Sequence, residues 1–410
     1  MHSSISRLFT LSLTCATLVE SNPRILRVAH QERGILTLGF DPSNEPGESL
    51  QLLSTTQAGY RPGWLHAIGN RLYSISRTHF PNDSFVDAGI FKFEKLPNGL
   101  SEIIDSTSSH GEGGVHLDTS RDGRTLASTN IDGSTVSLFP LGCSGDIHNA
   151  SYTFQYNLTQ PGPGTGHSQI QSNPHAAVFH PSEDLMFVPD RGADRMYIYD
   201  VSNTQDVTLL RNMTLLPGTG PRHLIIPDLG NEQSLLFLLG ELDNTVYVYS
   251  LGFSHPDTLS RGGANETLQV ALLQSISTLS RDGPRTEPIN EDLAGELELS
   301  ADHKFLYVSN RNAVSAEQLD TLAIYSVDLS SSTPLQFLGL NSTHGKIPRH
   351  FSLSSDDQNR YVAVANQVTN DLVVMERNAH TGFLGRVVGN FTFGPLDLTT
   401  DKGPMAVIWD

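Results

Sequence analysis

Short apolar runs separated by turn residues recur along most of this 410-residue chain. The runs at 72–75, 135–139, 196–199, 245–249, 305–308, 322–325, 361–364 and 372–375 are β-branched or aromatic and bounded by turn residues, which is how strands read. No stretch carries a helical period long enough to matter. The pattern therefore predicts an almost entirely β protein.

The runs belong to repeats. Six stretches resemble one another, and five carry histidine at what reads as one position: Trp64-Leu65-His66, Gly114-Val115-His116, Asn173-Pro174-His175, Pro221-Arg222-His223 and Pro348-Arg349-His350. The sixth, Ala294-Gly295-Glu296, has a glutamate there. Each leads into a short apolar strand, usually a polar turn such as Ser120-Arg121-Asp122-Gly123, and a second strand closing on a polar residue. These closures are Asn130, Asp190, Glu241, Asn310 with Arg311, and Asn366. A third strand follows, and a vaguer fourth is readable at 268–272 and 335–338.

Four antiparallel strands per unit, with anchors roughly 50 to 70 residues apart, make a propeller blade with variable outer loops. The ends supply a seventh: 404–409 reads as an inner strand without a partner, and 25–29 with 34–40 as a pair without an inner strand. The expected fold is an all-β, seven-bladed β-propeller of four-stranded antiparallel blades, closed by N- and C-terminal strands in one blade. Residues 22–410 read as a single propeller domain, with 151–173 and 265–292 as long loops. Antiparallel pairing brings the start of each inner strand and the end of the next strand to one edge, so both polar sets should meet on one face.

Residues 1–21 read as a secretory signal peptide: Arg7, then a largely apolar run too short to span a bilayer, then small residues near Ser21. No later segment reads as a membrane helix. Seven Asn-x-Ser/Thr sequons, at Asn82, Asn149, Asn157, Asn212, Asn265, Asn341 and Asn390, lie between the repeated strand pairs as candidate glycosylation sites. These features place the chain in the secretory pathway, as a secreted protein. Cys143 is the one cysteine beyond that leader, so no internal disulfide is expected. A formal charge of −18 argues against nucleic acid and anionic membranes as partners, and an anionic substrate would need a local arginine cluster.

The ordered motifs carry a resemblance. Asn173-Pro174-His175 with Phe187-Val188-Pro189-Asp190, Gly220-Pro221-Arg222-His223 with Gly240-Glu241-Leu242, Tyr307-Val308-Ser309-Asn310-Arg311, and Pro348-Arg349-His350 with Val364-Ala365-Asn366-Gln367 resemble the lactonase family of seven-bladed propellers. That family includes bacterial 6-phosphogluconolactonases and the fungal 3-carboxy-cis,cis-muconate lactonising enzyme. The likeness covers most of the chain from about Gly114 onward. It implies a site built from His175, Arg222, Glu241 and Arg311. The first unit departs from the pattern, closing on Ser74-Ile75-Ser76-Arg77.

Forming or opening a lactone needs proton transfer and stabilisation of developing negative charge. His175 and Glu241 are the expected acid and base. Arg222, Arg311 and Arg349 are expected to bind the anionic or carbonyl part of a small-molecule substrate. His66, His116, His223 and His350 should line the mouth, with His116 and His350 as substrate contacts. For His66, His116, His223 and Glu296 the alternative is that they hydrogen-bond neighbouring blades. No glycine-rich phosphate loop, Cys-x-x-Cys pair or nucleophile elbow is present. Neither cofactor nor metal is expected. The expected function is a cofactor-independent enzyme of lactonase or muconate-cyclase type. Alternatives are a hetero-Diels–Alder pericyclase of fungal secondary metabolism and a non-catalytic secreted binding propeller. Hydrolysis would make Glu241 indispensable, whereas cycloaddition would not. Oligomeric state is unknown from the sequence.

Overall fold

The computed structural model describes residues 24–96, 99–162, 169–230, 233–254, 267–279, 293–311, 319–399 and 401–410. The expected signal peptide at 1–21 and the sequon at Asn265 lie outside them. The described residues form seven four-stranded antiparallel sheets and no helix, so none is long and apolar enough to cross a membrane. The inner strands are Pro404–Trp409, Tyr60–Ile68, Gly114–Thr119, Val178–Phe179, Pro221–Ile225, Leu293–Leu299 and Pro348–Leu353, for blades 1 to 7 in that order.

Blade 1 is the closure. Its inner strand comes from the C-terminus and pairs with Arg24–His30, Val28 opposite Val407 and Leu26 opposite Trp409. The fully buried Arg27 holds this junction, with Nη2 2.7 Å from the Asp410 carboxylate and Nη1 donating to Thr37 Oγ1 at 3.0 Å. Closing the ring removes the sheet edges that an open array would present to solvent.

The second strands are buried on both sides. Leu185–Asp190 and Phe305–Arg311 are buried at every position because each blade face packs on a neighbour, whereas the outer strand Thr208–Thr214 is mostly exposed. Seven hydrophobic clusters fill the seven blade interfaces, for example Phe187 and Ile198 against Leu236 and Tyr247 between blades 4 and 5. Each large apolar side chain buried there contributes about 1.5–3 kcal/mol. Cys143 is free and exposed. Outer strands Tyr152–Gln155 and Thr267–Ser277 occupy parts of the regions expected to be long loops, and residues 163–168, 265–266 and 280–292 of those regions lie outside the described residues.

Strand register corrects the histidine alignment. Every inner strand shifts by one residue just after it begins, for instance between Pro62 and Trp64, Gly114 and His116, and Pro348 and His350. In blade 4 the same shift separates the Pro174–Asp190 bridge from the Val178–Phe187 pair. Counting from that bulge, His116, His223, Glu296 and His350 share one level with Trp64, Ala176 and Ala406. His175 sits one residue earlier, level with Arg222 and Arg349. His66 sits two residues later, level with Asp118 and Ser352. The five histidines thus occupy three levels of the channel. A bulge re-aims side chains in a way that local sequence likeness does not reveal.

Of the six described sequons, Asn82, Asn149, Asn157, Asn212 and Asn390 are exposed. Asn341 is half-buried, with its amide nitrogen 3.5 Å from the Leu384 carbonyl and its oxygen accepting from the Leu384 N–H at 3.1 Å. It is the one described sequon whose side chain is committed to the neighbouring blade.

Candidate active site

In each second strand one residue pairs with the inner-chain residue just before the bulge, and the residue after it lies at the level of the channel mouth. Register assigns this place to Gln31, Arg77, Ile131, Arg191, Glu241, Arg311 and Gln367. Gly240, not Glu241, is the equivalent of Asp190 and Asn366. Glu241 therefore stands where two other blades that pack beside its own place arginine.

The consequence is a four-residue ion cluster. Glu241 Oε2 lies 3.1 Å from Arg191 Nε and 3.2 Å from Arg222 Nη1, and Oε1 lies 3.1 Å from Arg311 Nη2. Arg222 also donates through Nε to the Gly295 carbonyl at 2.6 Å, and Arg311 to the Ala294 carbonyl at 2.7 Å. Glycine is required at 295: a Cβ there would come within 2.6 Å of Ser309 Oγ and 3.2 Å of Arg311 Nε. Burial pushes the Glu241 carboxyl up, but Arg191, Arg311, Arg222 and Arg349 together outweigh it and hold it far below the usual range. Glu241 is thus an anion that organises arginines and accepts a proton poorly near neutral pH.

His175 meets this cluster through Arg222, whose Nη1 donates to His175 Nε2. Burial first, then the positive charge of Arg222, drives the imidazole well below its ordinary pKa, so it is neutral. Its Nδ1 lies 3.1 Å from His223 Nε2, and His223 Nδ1 lies 2.7 Å from Glu296 Oε2. Burial lowers Arg222 to about 10, with Glu241 opposing, which leaves it charged.

Two cavities share the channel. One, of about 300 Å³, opens where the inner strands begin and is lined by Arg61, Arg77, Arg191, Arg222 and Arg349 with His175, Glu241 and Gln367. The other, of about 420 Å³, opens where they end and is lined by His66, His116, Asp118, His223, Glu296 and His350 with Trp64, Trp409 and Ser352. Trp64 stands among His116, His350 and His223, with ring centroids 4.7, 4.9 and 5.2 Å away.

His175, Arg222, Glu241 and Arg349 therefore come together at one mouth, with Arg311 behind Glu241. His116 and His350, expected beside them, face the other cavity, and so do His66 and His223. The bulge explains the separation, since it sends consecutive residues such as Arg349 and His350 to different levels. Arg191, Arg77, Arg61 and Gln367 were not among the expected site residues. For Arg191, Arg77 and Gln367 the signal was the place after the strand closure, already occupied by Arg311 after Asn310, whereas Arg61 lies on an inner strand outside that pattern. Asp190 and Asp194 anchor blade turns: Asp190 accepts from the Asn173 and Ala193 N–H groups at 2.8 and 3.0 Å, and Asp194 from Gly218 and Gly220 at 2.8 and 2.7 Å. Among the described residues no three of His, Cys, Asp or Glu are grouped as metal ligands.

Comparison with known proteins agrees with this architecture. The family model described as lactonase, 7-bladed beta-propeller, matches residues 24–395. A protein of Formosa agariphila named 6-phosphogluconolactonase is 25% identical over 359 residues, covering 85% of this chain and 90% of that one. One of the same name from Serratia proteamaculans is 26% identical over 363 residues, covering 88% and 91%. The structure of a Pseudomonas aeruginosa periplasmic gluconolactonase superposes with a TM-score of 0.74 at 23% identity, covering 94% of this chain and 98% of that one. The chain belongs to the seven-bladed β-propeller lactonase family.

Proposed function

We propose that this protein hydrolyses a small lactone bearing an anionic group, at the arginine-lined mouth and without an organic cofactor. One observation carries the reading: Glu241 locks three arginines in place beside a neutral imidazole, while no hydrogen bond or ion pair among the described residues engages the half-buried Arg349 guanidinium. Burial and the neighbouring Arg222, Arg311 and Arg77 lower the Arg349 pKa, with Glu241 opposing. A guanidinium among like charges and with no bonded protein partner suits a carboxylate or phosphate of the substrate, which it can grip through paired N–H donors.

In this reading His175 is the base. The lactone carbonyl takes the Nη1–H that Arg222 otherwise gives to His175 Nε2, which frees the nitrogen lone pair while Arg222 keeps its bonds to Glu241 and the Gly295 carbonyl. A water gives its proton to Nε2 while its oxygen bonds the carbonyl carbon, and the arginines stabilise the oxyanion. The ring C–O bond then breaks, and the leaving alkoxide takes the proton back from His175. Lactone and water become a hydroxy acid, and the enzyme returns unchanged. Glu241 serves as anchor for the arginines rather than as the proton acceptor.

The relatives named 6-phosphogluconolactonase favour hydrolysis over cyclisation or cycloaddition. The readable leader and the exposed sequons support work in the secretory pathway. The test is base uptake in a pH-stat with a panel of neutral, carboxylated and phosphorylated sugar lactones. Anionic members should open well above the spontaneous rate with the lower KM. No acceleration for any member would overturn the reading.

A further inference from the structure

We propose that Glu296 and His223 are positioning residues for His175, forming a carboxylate–imidazole–imidazole relay that crosses the waist of the propeller. The proposal rests on His175 being the base of the hydrolytic reading, and it adds two residues from the level below the arginine mouth.

Hydrogen-bond bookkeeping permits one arrangement. Arg222 has only donors, so His175 Nε2, which faces Arg222 Nη1, must carry a lone pair. The proton of neutral His175 is therefore on Nδ1, 3.1 Å from His223 Nε2, which must accept it. The proton of His223 is then on Nδ1, 2.8 and 2.7 Å from the two Glu296 oxygens. A Glu296 O–H donating to His223 would reverse each bond and end with His175 Nε2–H against an arginine N–H. The contacts therefore fix both imidazoles as protonated on Nδ1, with Glu296 accepting from His223, and the relay takes that acceptor as the carboxylate.

This polarity does two things for His175. It holds the lone pair of Nε2 toward the mouth, where a water would be deprotonated. It also places a negative charge where an imidazolium formed during turnover is stabilised, the service a carboxylate gives a catalytic histidine through its other nitrogen. Glu296 is itself held by the Leu297 N–H at 3.0 Å, with His350 Nε2 at 3.9 Å. Trp64 packs edge-on against His223, so the lower side of the relay is walled by an indole.

The charges facing each member set the direction of the pH effect. His175 faces Arg222, Arg349 and Arg191, and His223 faces Arg222, Arg349, Arg311, Glu241 and His116. Burial raises the Glu296 carboxyl from its ordinary value, while His350, Arg222, the Leu297 N–H and Arg311 favour its charged form. The arginines disfavour protonation of both imidazoles, so removing the Glu296 charge lowers the His175 pKa further.

The test combines kinetics on an anionic lactone with substrate-free ¹⁵N-histidine NMR. Glu296→Gln keeps the shape and an acceptor oxygen; kcat should fall about 10- to 100-fold with KM within about twofold, and the acid limb of the kcat–pH profile should move down. His223→Phe should cost a similar factor, and the double variant no more than the worse single one. Additive losses, or an acid limb unmoved in Glu296→Gln, would overturn the relay. In the NMR arm the wild-type spectrum should show His175 protonated at Nδ1 and bare at Nε2, and the opposite tautomer would also overturn it. Because that arm needs no turnover, a protein inactive on every lactone yet showing this tautomer would sink the hydrolytic reading and leave the relay standing.

Discussion

Arg222 Nη1 touches Glu241 Oε2 at 3.2 Å and also donates to His175 Nε2, so the residues expected to work as acid and base are joined through an arginine and do not face each other. That bridge ties stability, substrate affinity and proton transfer at the mouth to different side chains. Each can be measured separately.

Glu241→Gln removes the shared partner of Arg191, Arg222 and Arg311. Taking one partner from a buried ion cluster costs about 3–5 kcal/mol. Urea unfolding should therefore show a clear drop in midpoint, and activity should fall with it through loss of arginine geometry. A variant as stable as the wild type would show that the cluster is not the structural hub described here.

Arg349→Met acts on binding. A hydrogen-bonded contact to a charged group contributes about 1.5–3 kcal/mol, so KM for an anionic lactone should rise roughly 10- to 100-fold. For a neutral lactone of the same ring size KM should change little, and kcat should stay within a few-fold for both. Equal effects on both lactones would move anion recognition elsewhere.

The channel and blade carboxyls set a pH dependence of stability. Burial raises Asp118 to about 7, Asp243 to about 7 and Glu298 to about 8. The folded state therefore holds protons that the unfolded chain has released, and stability falls as pH rises toward these values. Burial lowers His30, His66, His180 and His350 to about 4, which removes stability in the other direction, as pH falls from about 6.5 to 4. The two sets oppose one another below about 6.5, and only the carboxyls act above it. Tm should decline from pH 6.5 to 8.5, and Glu298→Gln should flatten that decline. A Tm that rises over this interval would contradict the assignment.

Glycan occupancy tests the sequons. In protein secreted from a eukaryotic host, mass spectrometry after enzymatic deglycosylation should find modified Asn82, Asn149, Asn157, Asn212 or Asn390. It should find Asn341 unmodified, since its amide is bonded across to Leu384. A glycan at Asn341 would show that this inter-blade contact forms after modification or not at all.

The blades were legible because burial on both faces leaves an unmistakable trace: runs such as Phe305-Leu306-Tyr307-Val308 between polar turns. The closure was legible because 404–409 and 25–40 lacked partners separately and supplied them jointly. The bulge was not. It changes which residue faces the channel without changing composition, so His66, His116 and His175 looked equivalent while standing at three levels. The same shift hid the kinship of Glu241 with Arg191 and Arg311, and the mouth looked poorer in arginine than it is. Positions that depend on the pairing partner across a hairpin are set by register, which sequence pattern constrains only through the strand as a whole.

The most direct measurement is the initial rate of anionic lactone opening by wild type and His175→Ala, at one pH and saturating substrate, with the spontaneous rate subtracted. Loss of a positioned base should lower kcat by about 10²- to 10⁴-fold while Tm stays within a few degrees. Equal rates in the two proteins would show that proton transfer does not run through His175, and the chemistry assigned to the arginine mouth would have to be abandoned.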